Sequence, residues 1–252
     1  MGALSARLIT GEGTAEATWQ RWFRAHPLPQ VTARELIARS ARLHVVAPHP
    51  DDEILGCGGT LRQLARAGVE IHIWAVTDGE ASHPGSSHWT PARLAEARVS
   101  ESLWAQQRLS MHCRRHRLGV PDGHVVRHES RLFDLLCPAL ARGDTVIAPW
   151  QFDGHPDHEA VARACRRAAQ ARGARGIEVP IWGWHWADPS GNELPFERAV
   201  RVHLSCSDRA AKMHAIDAFR SQLSPDPSTS APPVLPAYAL ARWQRSFEVF
   251  LL

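Results

Sequence analysis

The tetrapeptide His-Pro-Asp-Xaa occurs twice in this chain of 252 residues, each time after an apolar run that ends in Ala-Pro. The first copy, HPDD at residues 49–52, directly follows LHVVAP at residues 43–48. The second copy, HPDH at residues 155–158, follows TVIAP at residues 145–149 and a short loop. Both runs are typical of buried strands. Because ligands collect at the carboxyl ends of strands in open α/β sheets, we expect both copies to meet in one crevice.

Strand-like and helical patterns alternate through most of the chain. Strands are predicted at residues 43–48, 69–76, 145–149, 179–186, 199–204 and 247–252, and helices at residues 61–67, 92–109, 130–141, 159–172 and 208–220. This alternation is typical of βαβ units and predicts an α/β fold with a mainly parallel sheet. No segment has the composition of a linker between residues 43 and 252. We therefore expect one globular domain at residues 43–252, preceded by an N-terminal extension at residues 1–42.

Composition excludes several classes of protein. The net charge is only +3, and no basic stripe with interleaved aromatic residues is present, so nucleic acid is not an expected partner. The basic run RRHR at residues 114–117 is interpreted as solvated surface. Five scattered cysteines without a Cys-x-x-Cys pair argue against a disulfide framework and a thiolate zinc site, and suit the cytoplasm. Neither a targeting signal nor an apolar run long enough for a membrane span is expected.

Among the side chains of the two copies, three imidazoles and two carboxylates are the candidates for this chemistry: His49, Asp51, Asp52, His155 and His158. A catalytic zinc ion takes three protein ligands of nitrogen and oxygen type and keeps a position open for water. Five candidates exceed that need, and the surplus can supply an acid and a base. The sequence therefore favours a metal-dependent hydrolase over a structural metal site.

These residues resemble the signatures of a known family. APHPDDE at residues 47–53, followed by the glycines at 56, 58 and 59, is similar to the first signature of the PIG-L (LmbE-like) zinc-dependent N-deacetylases. DGHPDH at residues 153–158 resembles their second signature, and weaker similarities lie at residues 76–80, 98–101 and 212–222. The resemblance implies a Rossmann-like three-layer α/β sandwich and removal of acetyl groups from N-acetylated sugars and related amides.

The resemblance also implies roles for individual residues. His49, Asp52 and His158 are the implied zinc ligands, with Fe²⁺ or another divalent cation as the alternative metal. Asp51 is the implied general base, and His155 the implied stabiliser of the oxyanion or acid. Arg98 is expected near the substrate.

Two further residues are candidates for substrate contact. Asp153 is expected either to bind a sugar hydroxyl or to orient His155. Trp184 shares its alternation with Trp182 and Trp186, so that in a strand all three indoles lie on one face. Such indoles either stack on a sugar ring or acyl chain, or pack into the core.

The partner expected from these arguments is a small N-acylated molecule, such as a sugar or glycoconjugate, and the oligomeric state stays open. Several alternatives remain at this point. One is an amidase for a sugar-thiol conjugate or another non-sugar amide, and another is a catalytically silent sugar-binding module. Two histidines and one carboxylate also describe the ligands of non-haem iron(II) oxygenases. That interpretation is disfavoured by the alternation of helices and strands.

Overall fold

A computed structural model describes residues 7–38, 40 and 42–252. An eight-stranded sheet with helices on both faces forms the core. Its strands are β1 (Gln30–Val31), β2 (Arg42–Ala47), β3 (Glu70–Ala75), β4 (Arg114–Arg117), β5 (Thr145–Pro149), β6 (Arg175–Val179), β7 (Ala199–His203) and β8 (Phe247–Leu251). The helices are α1 (Glu16–Ala25), α2 (Ala33–Leu36), α3 (Asp52–Arg66), α4 (Pro91–Arg108), α5 (Glu129–Ala139), α6 (Pro156–Arg172), α7 (Gly183–Trp186), α8 (Cys206–Ile216), α9 (Arg220–Leu223) and α10 (Ala237–Leu240).

The strand order is β1-β7-β8-β6-β5-β2-β3-β4, and β8 alone among these strands runs antiparallel to its neighbours. The predicted α/β sandwich with a mainly parallel sheet is therefore confirmed. From β2 the chain builds outward through β3 and β4, then returns to place β5 and β6 on the other side of β2. The crevice at this reversal, outside the carboxyl ends of β2 and β5, is where ligands bind in open α/β sheets.

Two apolar layers cover the sheet. One packs α3, α4 and α8 against residues such as Leu43, Val45 and Ile73. The other packs α5 and α6 against the opposite face, through residues such as Val146 and Val161. Among the residues that the structure describes, no helix combines the length and the apolar character that crossing a bilayer requires.

The first helix after β2 is interrupted at Cys57, where φ is −145° and ψ is 18°. The interruption frees the amides of Gly59 and Thr60, which donate to the buried carboxylate of Glu248 at 2.9 and 2.8 Å. Lys212 neutralises that carboxylate at 2.7 Å. A side chain at position 59 would meet Leu204 at 2.6 Å, so glycine permits the close packing there.

The strand predicted at residues 179–186 is wrong beyond its first residue. β6 ends at Val179, and Trp184 and Trp186 belong to the short helix α7. The cause is Asp153, whose carboxylate accepts hydrogen bonds from three consecutive backbone amides of residues 181–183 at 2.8–2.9 Å. These bonds turn the chain before a strand can continue.

Residues before β2 pack onto the sheet through aromatic side chains. Trp19 on α1 is fully buried and meets Trp184 edge to face, with 5.1 Å between ring centroids. Arg245 lies over the Trp184 ring at 4.4 Å and forms a paired salt bridge with Glu16. β1 then extends the sheet beside β7. Residues 1–6, 39 and 41 of the expected extension lie outside the described residues.

Candidate metal centre

Two imidazoles and one carboxylate converge outside the carboxyl ends of β2 and β5. Nδ1 of His49 lies 3.3 Å from Nε2 of His158. Oδ2 of Asp52 lies 3.3 Å from the His49 nitrogen and 3.2 Å from the His158 nitrogen. A tetrahedral zinc ion with bonds of about 2.0–2.1 Å separates its ligand atoms by about 3.3 Å. The three atoms therefore fit one face of such a coordination sphere.

The local fold sets these positions. Asp52 opens α3, and its Oδ2 accepts the backbone N–H of His49 at 2.9 Å, which ties the turn after β2 to the helix start. His158 lies in the first turn of α6, which begins at Pro156 with His155 as its N-cap. This start lies three residues before the predicted helix at residues 159–172 and suits Pro156, because proline at the first helical position lacks only an N–H that has no partner there.

Asp153 fixes the orientation of His158. Its Oδ2 lies 2.7 Å from Nδ1 of His158, and both groups are fully buried. With Nδ1 occupied, Nε2 is the nitrogen that faces His49 and Asp52. A ligating histidine whose other ring nitrogen is held by a carboxylate is the usual arrangement at protein metal sites. The sequence suggested that Asp153 binds a sugar hydroxyl or orients His155. In the structure its carboxylate contacts His158 instead.

His49 is held in the same way by Asp122 and Asp157. Its Nε2 lies 3.2 Å from Asp122 and 3.5 Å from Asp157. Sequence reasoning missed Asp122, because a Pro-Asp-Gly turn at residues 121–123 is an ordinary loop signal. Asp122 follows the short run Leu-Gly-Val at residues 118–120, and it lies at the sheet edge that carries both signatures. This position is the clue that could have revealed Asp122.

The electrostatics favour a cation at this point. Burial alone would lower the pKa of His49, but hydrogen bonds to Asp122, Asp157 and Asp52 outweigh it and raise that pKa well above its usual value. For His158, Asp52 and Asp153 likewise outweigh burial and raise the pKa to about 9. Burial opposes ionisation of Asp52, yet the two histidines hold its pKa well below the usual range. Surroundings that favour protonated imidazoles also attract a dication.

A second set, His49, His155 and Asp157, also lies close enough to share an ion. This second set would bind an ion through Nε2 of His49 rather than through Nδ1. Asp157 accepts the amides of Gly123 and Val125, and Nδ1 of His155 accepts the amide of Asp157. The set with Asp52 and His158 is the stronger candidate for a metal site, because its three donor atoms lie 3.2–3.3 Å from one another.

Beside the candidate metal ligands, Arg98 holds the carboxylate of Asp51. Nη2 of Arg98 lies 2.9 Å from Oδ2 of Asp51, and Nη1 donates to the carbonyl of Gly79 at 3.0 Å. Burial raises the pKa of Asp51 to about 6, with Arg98 opposing and Asp52 adding to the rise. A side chain at position 79 would overlap Nη1 of Arg98, and φ there is +71°, so the turn requires glycine.

His155 presents a hydrogen-bond donor. Because its Nδ1 accepts the Asp157 amide at 3.2 Å, the ring proton of the neutral imidazole resides on Nε2. Burial, followed by His158 and His49, lowers the pKa of His155 to about 3, so the ring is neutral near pH 7. Its ring centroid lies 4.7 Å from that of His49. The neutral imidazole can donate one hydrogen bond beside the candidate metal ligands.

A cavity of about 290 Å³ opens onto these groups. One part of its wall is polar and includes Ser82, Arg98, Asp122 and Gln222, and another is apolar and includes Leu55, Trp182, Val234 and Leu235. Trp184, a candidate for substrate contact, is not among the lining residues in the described part of the chain. Its indole packs against Trp19 and Phe23 instead.

The fold and this site define an α/β protein with a candidate metal centre at the switch point of its sheet. The model of the PIG-L family, described as GlcNAc-PI de-N-acetylase, matches residues 44–169, and the chain belongs to that family. This establishes the family resemblance seen in the sequence.

Curated relatives carry deacetylase names. The chain is 26% identical to 1D-myo-inositol 2-acetamido-2-deoxy-alpha-D-glucopyranoside deacetylase 2 of Catenulispora acidiphila, across 71% of this chain and 65% of that protein. It is 29% identical to 2'-N-acetylparomamine deacetylase of Streptomyces fradiae, across 61% of this chain and 59% of that protein. The chain thus spans less than two thirds of the length of these relatives.

Solved structures agree on the fold. A conserved protein of Thermus thermophilus is 31% identical, with a TM-score of 0.55 over 72% of this chain and 80% of its own. N,N'-diacetylchitobiose deacetylase of Pyrococcus horikoshii is 19% identical, with a TM-score of 0.59 over 83% of this chain and 80% of its own.

Proposed function

We propose that this protein is a zinc-dependent N-deacetylase that removes the acetyl group from an N-acetylated amino sugar. The observation that carries the proposal is the pairing of the metal-binding triad His49, Asp52 and His158 with an adjacent carboxylate, Asp51, outside that triad. Relatives named as deacetylases of N-acetylated amino sugars support the substrate class.

When bound, zinc supplies Lewis-acid chemistry, since it polarises a carbonyl oxygen and makes water a stronger nucleophile at neutral pH. Asp51 is the general base in this proposal. Its carboxylate is buried next to the triad, lines the cavity and is held by Arg98. Asp51 takes a proton from the attacking water and returns it to the departing amine, which leaves as a neutral amine.

His155 stabilises the oxyanion that develops on the acyl carbonyl. Its Nε2–H is the donor left free by the backbone bond to Nδ1. A neutral donor that is already oriented needs no reorganisation as charge develops, and loss of one such donor costs about 3–4 kcal/mol of transition-state stabilisation.

Arg98 has a positioning role in this scheme. Its guanidinium holds one oxygen of Asp51 and is itself fixed by the Gly79 carbonyl. The cavity suits a small amphipathic substrate, because about 290 Å³ is near the lower end for ligand pockets and its walls are divided between polar and apolar groups. A pyranose ring, with polar edges and an apolar C–H face, has this character.

A panel of N-acetylated compounds tests the proposal. Metal-free protein is reconstituted separately with Zn²⁺ and with Fe²⁺, then incubated with N-acetylglucosamine, N,N'-diacetylchitobiose and N-acetylated non-sugar amines. Free primary amine is the readout. We expect amine release from a sugar, its loss on chelation and its return when metal is restored. Release from the non-sugar amines alone would reject the sugar assignment, and no release from any compound would reject the activity.

A further inference from the structure

Two loops that are distant in sequence form the outer wall of the cavity. Residues 81–90 contribute Ala81 and Ser82, and residues 224–236 contribute Val234 and Leu235. The second loop is rich in proline, which fixes φ and limits the conformations that the loop can adopt. Its end is tied to the cavity because Leu235 is buried in the core and donates its N–H to the carbonyl of Gln222 at 2.9 Å.

The hydroxyl of Ser228 makes several of the contacts that join the two loops, beside a hydrogen bond between Asp226 and Ser86. Oγ of Ser228 lies 3.0 Å from Oγ of Ser86 and accepts the backbone amides of Ser87 and His88 at 3.1 and 3.3 Å. The same hydroxyl donates to Oδ1 of Asp226 at 2.8 Å. Asp226 thus fixes the direction of the hydroxyl, and Ser228 meets three groups of the opposite loop.

We propose that Ser228 is a positioning residue that clasps these loops together and thereby sets the affinity for substrate. This inference rests on the proposed deacetylase function. Ser228 does not line the cavity, but the loop that it anchors carries Val234 and Leu235. Release of the clasp lets Val234 and the opposite loop, with Ala81 and Ser82, move apart. Leu235 stays tied to Gln222, and the metal ligands and Asp51, which lie on other elements, keep their positions.

The chain contains a matched control for this role. Asp188-Pro189-Ser190 repeats the tripeptide of residues 226–228 and forms the same turn, in which the amide and hydroxyl of Ser190 both donate to Asp188 at 2.8 Å. Within the described part of the chain, the Ser190 side chain makes no hydrogen bond to another loop. Ser190→Ala therefore removes the same local bond as Ser228→Ala but leaves the two cavity loops joined.

The test compares the zinc-loaded wild type, Ser228→Ala and Ser190→Ala. With N-acetylglucosamine or N,N'-diacetylchitobiose as substrate, we expect Ser228→Ala to raise KM about threefold to tenfold, the factor that corresponds to the net free energy of about one hydrogen bond. Its kcat and zinc content should remain within about twofold of the wild type. Ser190→Ala should match the wild type in KM and kcat.

Hydrogen exchange supplies a readout that does not require activity. In Ser228→Ala the amides of Ser87 and His88 lose their acceptor and should exchange severalfold faster, whereas Ser190→Ala should leave them unchanged. Unchanged exchange, or an unchanged KM in an active enzyme, would overturn the clasp. A fall in kcat with loss of zinc would also overturn it, because it would indicate a general structural role. A wild type that is inactive on every substrate would reject the deacetylase function itself.

Discussion

The carboxylate of Asp153 lies 2.7 Å from Nδ1 of His158 and determines which imidazole nitrogen faces His49 and Asp52 in the candidate metal centre. The same carboxylate accepts three backbone amides at residues 181–183, which begin the turn into α7. One side chain thus couples the orientation of a candidate metal ligand to the part of the cavity wall that carries Trp182.

We expect Asp153→Asn to weaken zinc binding about tenfold to a hundredfold, because the imidazole of His158 loses its charged acceptor. Zinc affinity is measured by competition with a chromophoric chelator. Asp144→Asn is the matched control. Asp144 also faces a buried histidine, His44 at 3.4 Å, but at the opposite end of β5. Equal zinc affinities in the two variants would reject this role of Asp153.

Asp51→Asn should retain zinc and lose at least about a hundredfold in kcat, because the amide cannot accept the proton from water. Asp52→Asn should instead lose zinc affinity together with activity, although the two substitutions are adjacent and chemically identical. Metal analysis and steady-state kinetics on both variants separate the two roles. Near-normal turnover in Asp51→Asn would remove Asp51 from the mechanism.

Gly79→Ala should disturb the pair between Arg98 and Asp51, since its Cβ would overlap the guanidinium. We expect kcat to fall about tenfold or more and stability to fall by about 1–3 kcal/mol, the usual cost of a strained backbone. Gly85→Ala incurs a similar φ penalty at +76° but meets open space. It should lose stability without a comparable loss of kcat, and equal kcat in the two variants would contradict the proposed role of Arg98.

His44 should make the protein less stable in mild acid. Burial and the neighbouring His72 lower its pKa to about 4, against 6.5 in the unfolded chain, although Asp144 opposes this. Its Nδ1 accepts the indole N–H of Trp74 at 3.1 Å, and protonation there would break that bond. Between pH 6.5 and pH 4 the unfolded state binds more protons, so the free energy of unfolding falls as pH decreases.

The contribution of His44 to this loss should reach up to about 2 kcal/mol at pH 5. Urea unfolding at pH 7 and pH 5 measures it, with His44→Gln as the reference that cannot titrate. The variant should lose less stability between the two pH values than the wild type does. An equal loss in both proteins would show that folding does not lower the pKa of His44.

The doubled His-Pro-Asp motif predicted the meeting of residues 49–52 with residues 155–158, because each copy follows a strand and β2 and β5 are neighbours. The start of α6 was also predictable from local rules, since proline occupies its first position. The first junction differs, because α3 begins at Asp52 and Pro50 remains in the preceding turn. The rule that places proline at the first helical position does not predict this start. It takes no account of Asp52, which faces both His49 and His158.

Features fixed by distant partners could not be predicted. The alternating tryptophans at 182, 184 and 186 indicated a strand, but Asp153 bends that segment from about 30 residues away. The basic run at residues 114–117 forms the edge strand β4, where Arg115 reaches the buried carboxylate of Glu53 at 3.3 Å. Its charge indicated solvated surface, and Arg114 and Arg117 are exposed, but the pairing of its backbone with β3 was not predicted.

The location of bound zinc is the most direct test of the central claim. Crystals grown with one equivalent of zinc are measured on both sides of the zinc absorption edge. We expect one anomalous peak about 2.0–2.2 Å from Nδ1 of His49, a carboxylate oxygen of Asp52 and Nε2 of His158. A peak on Nε2 of His49 beside His155 and Asp157, or no peak in this cavity, would contradict the account.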